Sequence, residues 1–295
     1  MKEAEKTMTP ARFVTLGGPR FDATRDALHG YARILGNVLK QSRPKRKHWW
    51  HASLRPALRG LTTGVVHADV DFELELNLRD STLLAYVVTG ESLTLALHGQ
   101  PVNEVISRLG AFLAANGVPS GCLPAAVQDE AFDTRHADYS VEQANALAQG
   151  LSAVAGAMAV FRAGIREETS PIQLWPHHFD LSMLWLPGQK ISGQDPDDEE
   201  YSDQQMNFGF TFGDGGIPEP YFYVTAYPLP DSLPSTPLPA GASWHSEGFN
   251  GVVLRYRTLC EAADPHALLP ELWSTLLRAG RKALRSDAEV DTQHS

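Results

Sequence analysis

"DFELELNLRDSTLLAYVVTGESLTLAL", Asp71 to Leu97, holds three extended runs separated by two turns. In the first run Phe72, Leu74, Leu76 and Leu78 alternate with Glu73, Glu75 and Asn77. That alternation buries one face of a strand and wets the other. "LRDSTLL" and "VVTGESL" are short and polar enough to be hairpin turns, so the runs are antiparallel neighbours. Upstream, "KHWWHASL" and "GLTTGVV" read as further extended segments. Ahead of them lies "DATRDALHGYARILGNVLKQS". Its residues Ala27, Leu28, Tyr31, Ile34, Leu35, Val38 and Leu39 form one helical face, with Asp22 or Thr24 as cap and Pro44 just past the end. Downstream, "PVNEVISRLGAFLAANG" is a helix that starts at Pro101 and stops at Gly117.

This order recurs. "SVEQANALAQGLSAVAGAMAVFRAGI" is a long Ala-rich helix that Ser140 caps. The extended segments "IQLWPHHF", "LSMLWL", "MNFGFTF", "YFYVTAY" and "GFNGVVLRY" follow, and then "DPHALLPELWSTLLRAGRKAL", a helix with Asp264 as N-cap and Pro265 in its first position. The expectation is an α+β fold of two similar halves fused into one compact unit, each an antiparallel sheet of about five strands with flanking helices. Its parts are residues 1–21 as an N-terminal extension, 22–117 as the first half, 118–139 as a connector, 140–284 as the second half and 285–295 as a disordered tail.

Composition narrows the function. With 43% hydrophobic residues the chain can bury a sizeable core. A formal net charge of −10 speaks against a nucleic-acid partner, and the basic run "RPKRKHWWH" reads as a solvated turn. No apolar run is read as long enough to span a bilayer, and the N-terminus has no signal-peptide pattern. Cys122 and Cys260 stand far apart, which suits the cytoplasm and offers no cysteine-built metal site. Phosphate-loop, nucleophile-elbow and zinc-helix motifs are missing, and "GDGG", Gly213 to Gly216, reads as a hairpin turn.

The chemistry concentrates in two Trp/His segments, "HWWH" at His48–His51 and "LWPHHFD" at Leu174–Asp180, each directly after a long helix. Their matching positions predict that both open onto one cavity. On a strand, His177 and His178 point to opposite faces, whereas His178 and Asp180 share one. That pair can be a base with its orienting carboxylate, and His51 is the third candidate catalytic residue. Two ligands on one face are too few for zinc, so no metal and no cofactor are expected. Asp180 should be buried and bonded to backbone N–H groups or to a histidine. The candidate ligand-binding residues are Trp50, His51, Trp175, His178, Asp180 and His245, the last sharing a face with Glu247.

Six strings also occur together: "TRDALHGYARILG", "HWWH", "RGLTTG", "SPIQLWPHHFD", "YFYVTAYP" and "ADPHALLPELWST". In this order they resemble an uncharacterised bacterial family of soluble proteins of about this length, known only as a domain of unknown function. The resemblance brings no activity with it. The residues therefore leave three expectations for function. One is a small-molecule-binding protein with an aromatic and histidine-lined pocket between the halves. The others are an acid–base or hydrolytic enzyme using His178 and Asp180, and a protein–protein interaction module that forms a homodimer.

Overall fold

The three runs of Asp71–Leu97 form β3 (Phe72–Asn77), β4 (Thr82–Val87) and β5 (Ser92–Ala96). With β1 (Arg55–Ala57) and β2 (Gly60–Val66) they make a five-stranded antiparallel meander in chain order. Register places Leu76 opposite Leu83 and Leu83 opposite Leu95, a row of leucines buried on one face. This computed structural model describes residues 13–291 apart from 129, 131 and 199.

The second sheet holds β6 (Glu168–Thr169), β7 (Gln173–Trp175), β8 (Asp180–Leu186), β9 (Gln205–Thr211), β10 (Tyr221–Tyr227), β11 (Ala242–His245) and β12 (Gly251–Arg255). Its order is β11-β12-β10-β9-β8-β6, with β7 also on β8. The far edge departs from a simple meander because β12 takes the place beside β10 and pushes β11 outside. An antiparallel bridge joins the sheets: the Leu54 and Leu174 N–H groups each donate to the other's carbonyl at 2.9 Å. Beside it the Gln173 side-chain oxygen accepts from Ser53 and Arg55, both at 2.8 Å.

Helices α1 (Phe21–Ser42), α2 (Val102–Ala115), α3 (Val141–Ala163), α4 (Tyr256–Glu261) and α5 (Pro265–Asp291) complete the fold. The apolar stripe read on α1 is buried along its whole length. α3 packs on β1, β2, β8 and α5, so it belongs to the core of both sheets. Ser140 caps it by accepting from the Gln143 N–H at 3.3 Å, and Asp264 accepts from Ala267 at 3.0 Å to start α5.

Several boundaries differ from the expectation. α1 begins at Phe21 without a side-chain cap, and the Thr24 hydroxyl is spent on the Arg20 carbonyl at 2.8 Å. Residues 13–21, read as part of an N-terminal extension, belong to the packed body, since Phe13 and Phe21 are buried in the core. The final helix runs on to Asp291, through most of the expected tail; residues 1–12 and 292–295 lie outside the described ones. "KHWWHA" is a 3₁₀ turn rather than a strand, because His48 and Trp49 adopt left-handed φ of 52° and 55°. α3 is also long and apolar enough to cross a membrane by length and composition. Its alanines, valines and leucines raise the average hydropathy while half of that stretch is buried inside the protein, and a core helix meets the same test.

Candidate functional site

β8, β9 and β10 each alternate. One set, including Met183, Trp185, Met206, Phe208, Phe210 and Phe222, is buried in the core. Phe208 packs on Phe161 of α3, and Phe222 on Trp273 of α5. The other set faces away from those helices and pairs in rows. Asp180 lies opposite Thr211 and Thr211 opposite Tyr221; Ser182 lies opposite Gly209 and Gly209 opposite Tyr223.

Gly209 makes this face possible. A Cβ there would sit 2.0 Å from Tyr223 Cζ, so the phenol ring lies flat across the strand. Its hydroxyl donates to Asp180 Oδ2. The other oxygen, Oδ1, is buried with no hydrogen-bond partner. Asp180 is 7% exposed, and burial pushes its carboxyl up to about 6 against the pull of the Tyr223 bond. One row away, Asp214 in the β9–β10 turn accepts from Tyr221 at 2.5 Å and from the Gly216 and Ile217 N–H groups at 2.8 Å. Burial works to raise this carboxyl too, but the three donors outweigh it and hold it below the usual range. The two aspartates thus differ in proton affinity because Asp180 is buried with one hydrogen bond to its carboxylate, whereas Asp214 is exposed and accepts three.

The histidine pair is not on a strand. Trp175 ends β7, and a tight turn with Phe179 at φ 57° leads into β8 at Asp180. The His178 and Phe179 N–H groups both donate to the Trp175 carbonyl, at 3.2 and 2.7 Å. In a turn, neighbours need not point oppositely, and the His177 and His178 rings lie 4.3 Å apart. α1 seats this turn. Gly36 leaves room for Pro176, whose ring would be 2.5 Å from any Cβ there. His29 of α1 donates to the His177 carbonyl at 3.2 Å and stacks on Phe179. Burial lowers His29 and His177 to about 4; Arg33 adds to it at His29, and His178 adds to it at His177.

Two adjoining cavities open on this face. The larger, about 540 Å³, is walled by Trp175, His177 and His178 from the turn, by His48 and Trp49 of the first half, and by Tyr201, Tyr223 and Tyr227. The smaller, about 340 Å³, adds Thr211, Asp214 and Tyr221. His178, Asp180, Tyr223, Thr225 and Phe249 belong to both. At the rim Asp203 gathers Lys47, Lys190 at 2.8 Å and His48 at 3.2 Å. Burial would raise the Asp203 carboxyl, but these partners hold it far below the usual range.

"HWWH" and "LWPHHFD" therefore line one cavity, by residues partly different from those expected. Trp175, His178 and Asp180 are in its wall. Trp50 and His51 are not, because the left-handed turn presents His48 and Trp49 instead. His51 is buried beneath the Trp49 ring, and its Nδ1 accepts from the Arg46 N–H at 3.2 Å. His245 on β11 stacks against Phe249 at 4.6 Å and donates to the Glu247 carbonyl at 2.7 Å, behind the wall. Asp180 has a tyrosine as partner where a backbone N–H or a histidine was expected. Sequence reasoning missed Tyr221, Tyr223, Asp214 and Phe249. The signal for Tyr223 was a glycine inside "NFGFT" facing a strand with tyrosine at three of its four alternate places, Tyr221, Tyr223 and Tyr227. Among the described residues no three His, Cys, Asp or Glu side chains converge as a metal-binding group.

A model for a family of unknown function, DUF5996, matches residues 13–291. The chain is a member of DUF5996. That agrees with the resemblance carried by the six strings, and it extends from Phe13 to Asp291 across both sheets. No curated protein and no solved structure matches the chain.

Proposed function

We propose that the groove on the outer face of the second sheet binds a small organic molecule. The observation that carries this reading is Asp180, a nearly buried carboxylate that lines both cavities and has one oxygen without a partner. Buried polar groups in proteins are almost always paired, and a ligand donor would supply the missing bond. A volume of about 540 Å³ with aromatic walls and a few polar groups has the size and character of small-molecule sites. Two free cysteines suit such a role in a reducing cytoplasm. The pocket sits within one half and borrows His48 and Trp49 from the other. The test is mass spectrometry of small molecules that copurify with the native protein, followed by melts of the wild type with a metabolite mixture. A compound that raises the melting temperature of wild type, and far less that of Trp175→Ala, is expected. No copurifying compound and no stabilisation from the mixture would end this reading.

A second reading is favoured by one observation. Asp180 with its carboxyl near 6, hydrogen-bonded to Tyr223 and close to His178, has the proton affinity of a general base. For an enzyme, Asp180→Asn would lose conversion of the compound by a far larger factor than it loses binding.

We also propose the internal duplication expected from the repeated element order. Its support is that β1–β4 and β7–β10 are both antiparallel runs in chain order, starting from the Leu54–Leu174 bridge. The different far edges, β5 against β12 and β11, weigh on the other side.

A further inference from the structure

We infer that the ligand of this groove is an organic cation, an amine or quaternary ammonium carried on an apolar or planar body. This rests on the groove being a binding site and adds the chemical class. The walls come first: Trp175, Tyr201, Tyr227 and Phe249 line the larger cavity, and aromatic faces attract a cation that has left water. Charge comes second. Asp180 and Glu200 line the larger cavity, and Asp180 and Asp214 the smaller, while no Lys or Arg among the described residues lines either. Lysines close to the walls are engaged by other groups: Lys47 and Lys190 pair with Asp203, which is in neither wall, and Lys40 and Lys45 lie over the Trp49 ring at 5.2 and 5.9 Å. Burial holds His48 and His177 below their ordinary range, so these two add little positive charge.

The third observation selects the carboxylate. Asp214 already accepts three hydrogen bonds and is satisfied. Asp180 accepts one at Oδ2, and its Oδ1 is unpartnered although the residue is 7% exposed. A protonated amine meets that acceptor with an N–H and supplies the opposite charge; a quaternary ammonium has no N–H and supplies the charge alone. A neutral polyol would use the same acceptors and rings but would gain nothing from the charge. An organic anion would be repelled. A cation beside Asp180 also favours its ionised form, so binding should weaken as the solution is acidified and Asp180 takes up a proton.

Matched compounds separate these classes. Phenethylamine, phenyltrimethylammonium, 2-phenylethanol and phenylacetate would be titrated into the full-length protein, with calorimetry and ligand-detected NMR at pH 7 and pH 5. The cations should bind roughly tenfold tighter than the alcohol, and phenylacetate should not bind. That preference should shrink at pH 5 and in Asp180→Asn. If the variant fails to fold, the wild-type series and its pH dependence still decide. Equal binding of alcohol and cations, tighter binding of phenylacetate, or no binding by either cation overturns the inference. The binding-site reading itself fails separately, when the metabolite mixture also leaves the protein unchanged.

Discussion

A carboxylate taken out of water without full pairing holds on to its proton, and Asp180 is raised from 3.8 to about 6 for that reason. The sign follows from linkage. The folded state binds this proton more tightly than the unfolded chain, so the full advantage exists below about pH 4 and is lost as pH rises through about 6. Asp180→Asn has no such proton to lose. The stability of the variant relative to wild type should therefore increase by about 2 to 3 kcal/mol between pH 4 and pH 7, measured by urea unfolding. A difference that stays flat over this range would mean that the carboxyl is not desolvated. His29 and His177 act in the opposite sense. Each is lowered from 6.5 to about 4, so each contributes stability that is present above pH 6.5 and lost as pH falls toward 4. His29→Gln should flatten the acid side of the wild-type profile; an unchanged acid limb would show that His29 titrates normally.

At the scale of elements, the site depends on how closely neighbours approach. β9 offers a bare backbone at Gly209, and Tyr223 of β10 lies over it to reach Asp180 on β8. Gly209→Ala would force the ring away, with a loss of about 1 to 3 kcal/mol typical of overpacking. Combining it with Tyr223→Ala checks the cause. Once the ring is gone the added methyl has space, so the double variant should be more stable than the sum of the single losses predicts, read from thermal melts. Simple additivity would show that Gly209 matters for some other reason. Gly36 does similar work in α1, where its missing side chain lets Pro176 dock and so fixes the turn that carries His177 and His178.

For the molecule as a whole, α3 ties the halves together. It is at the start of the second half in sequence, yet it packs on β1 and β2 of the first as well as on β8 and α5. α1 in turn packs on α3. A fragment ending at Tyr139 would expose the part of the first sheet that α3 covers, at β1 and β2, and the remaining fragment would leave α3 half covered. Neither should fold alone, by far-UV circular dichroism and proteolysis, while coexpression should give a folded one-to-one complex. Two fragments that each fold stably by themselves would show that the halves are independent domains.

The alternation of Asp71–Leu97 and the stripe on α1 depended only on spacing, so the antiparallel meander and its covering helix were legible along the chain. Helix starts at Ser140 and Asp264 were legible for the same reason, because a cap is a bond to a residue three positions away. Local pattern went wrong at "HWWH" and "HHFD", where left-handed residues at His48, Trp49 and Phe179 convert apparent strands into turns. Such residues carry no side-chain signature; the packing of Pro176 against Gly36, and of Lys47 and His48 against Asp203, accompanies those turns. The Trp and His segments could be singled out by composition, and Asp180 by its place beside them. That Tyr223 would be its partner, that His48 and Trp49 would face the cavity in place of Trp50 and His51, and that Asp180 would keep an unpaired oxygen all depend on contacts between residues far apart in sequence. Spacing along the chain determines which face of an element is apolar, and only the packed tertiary structure decides which polar groups meet.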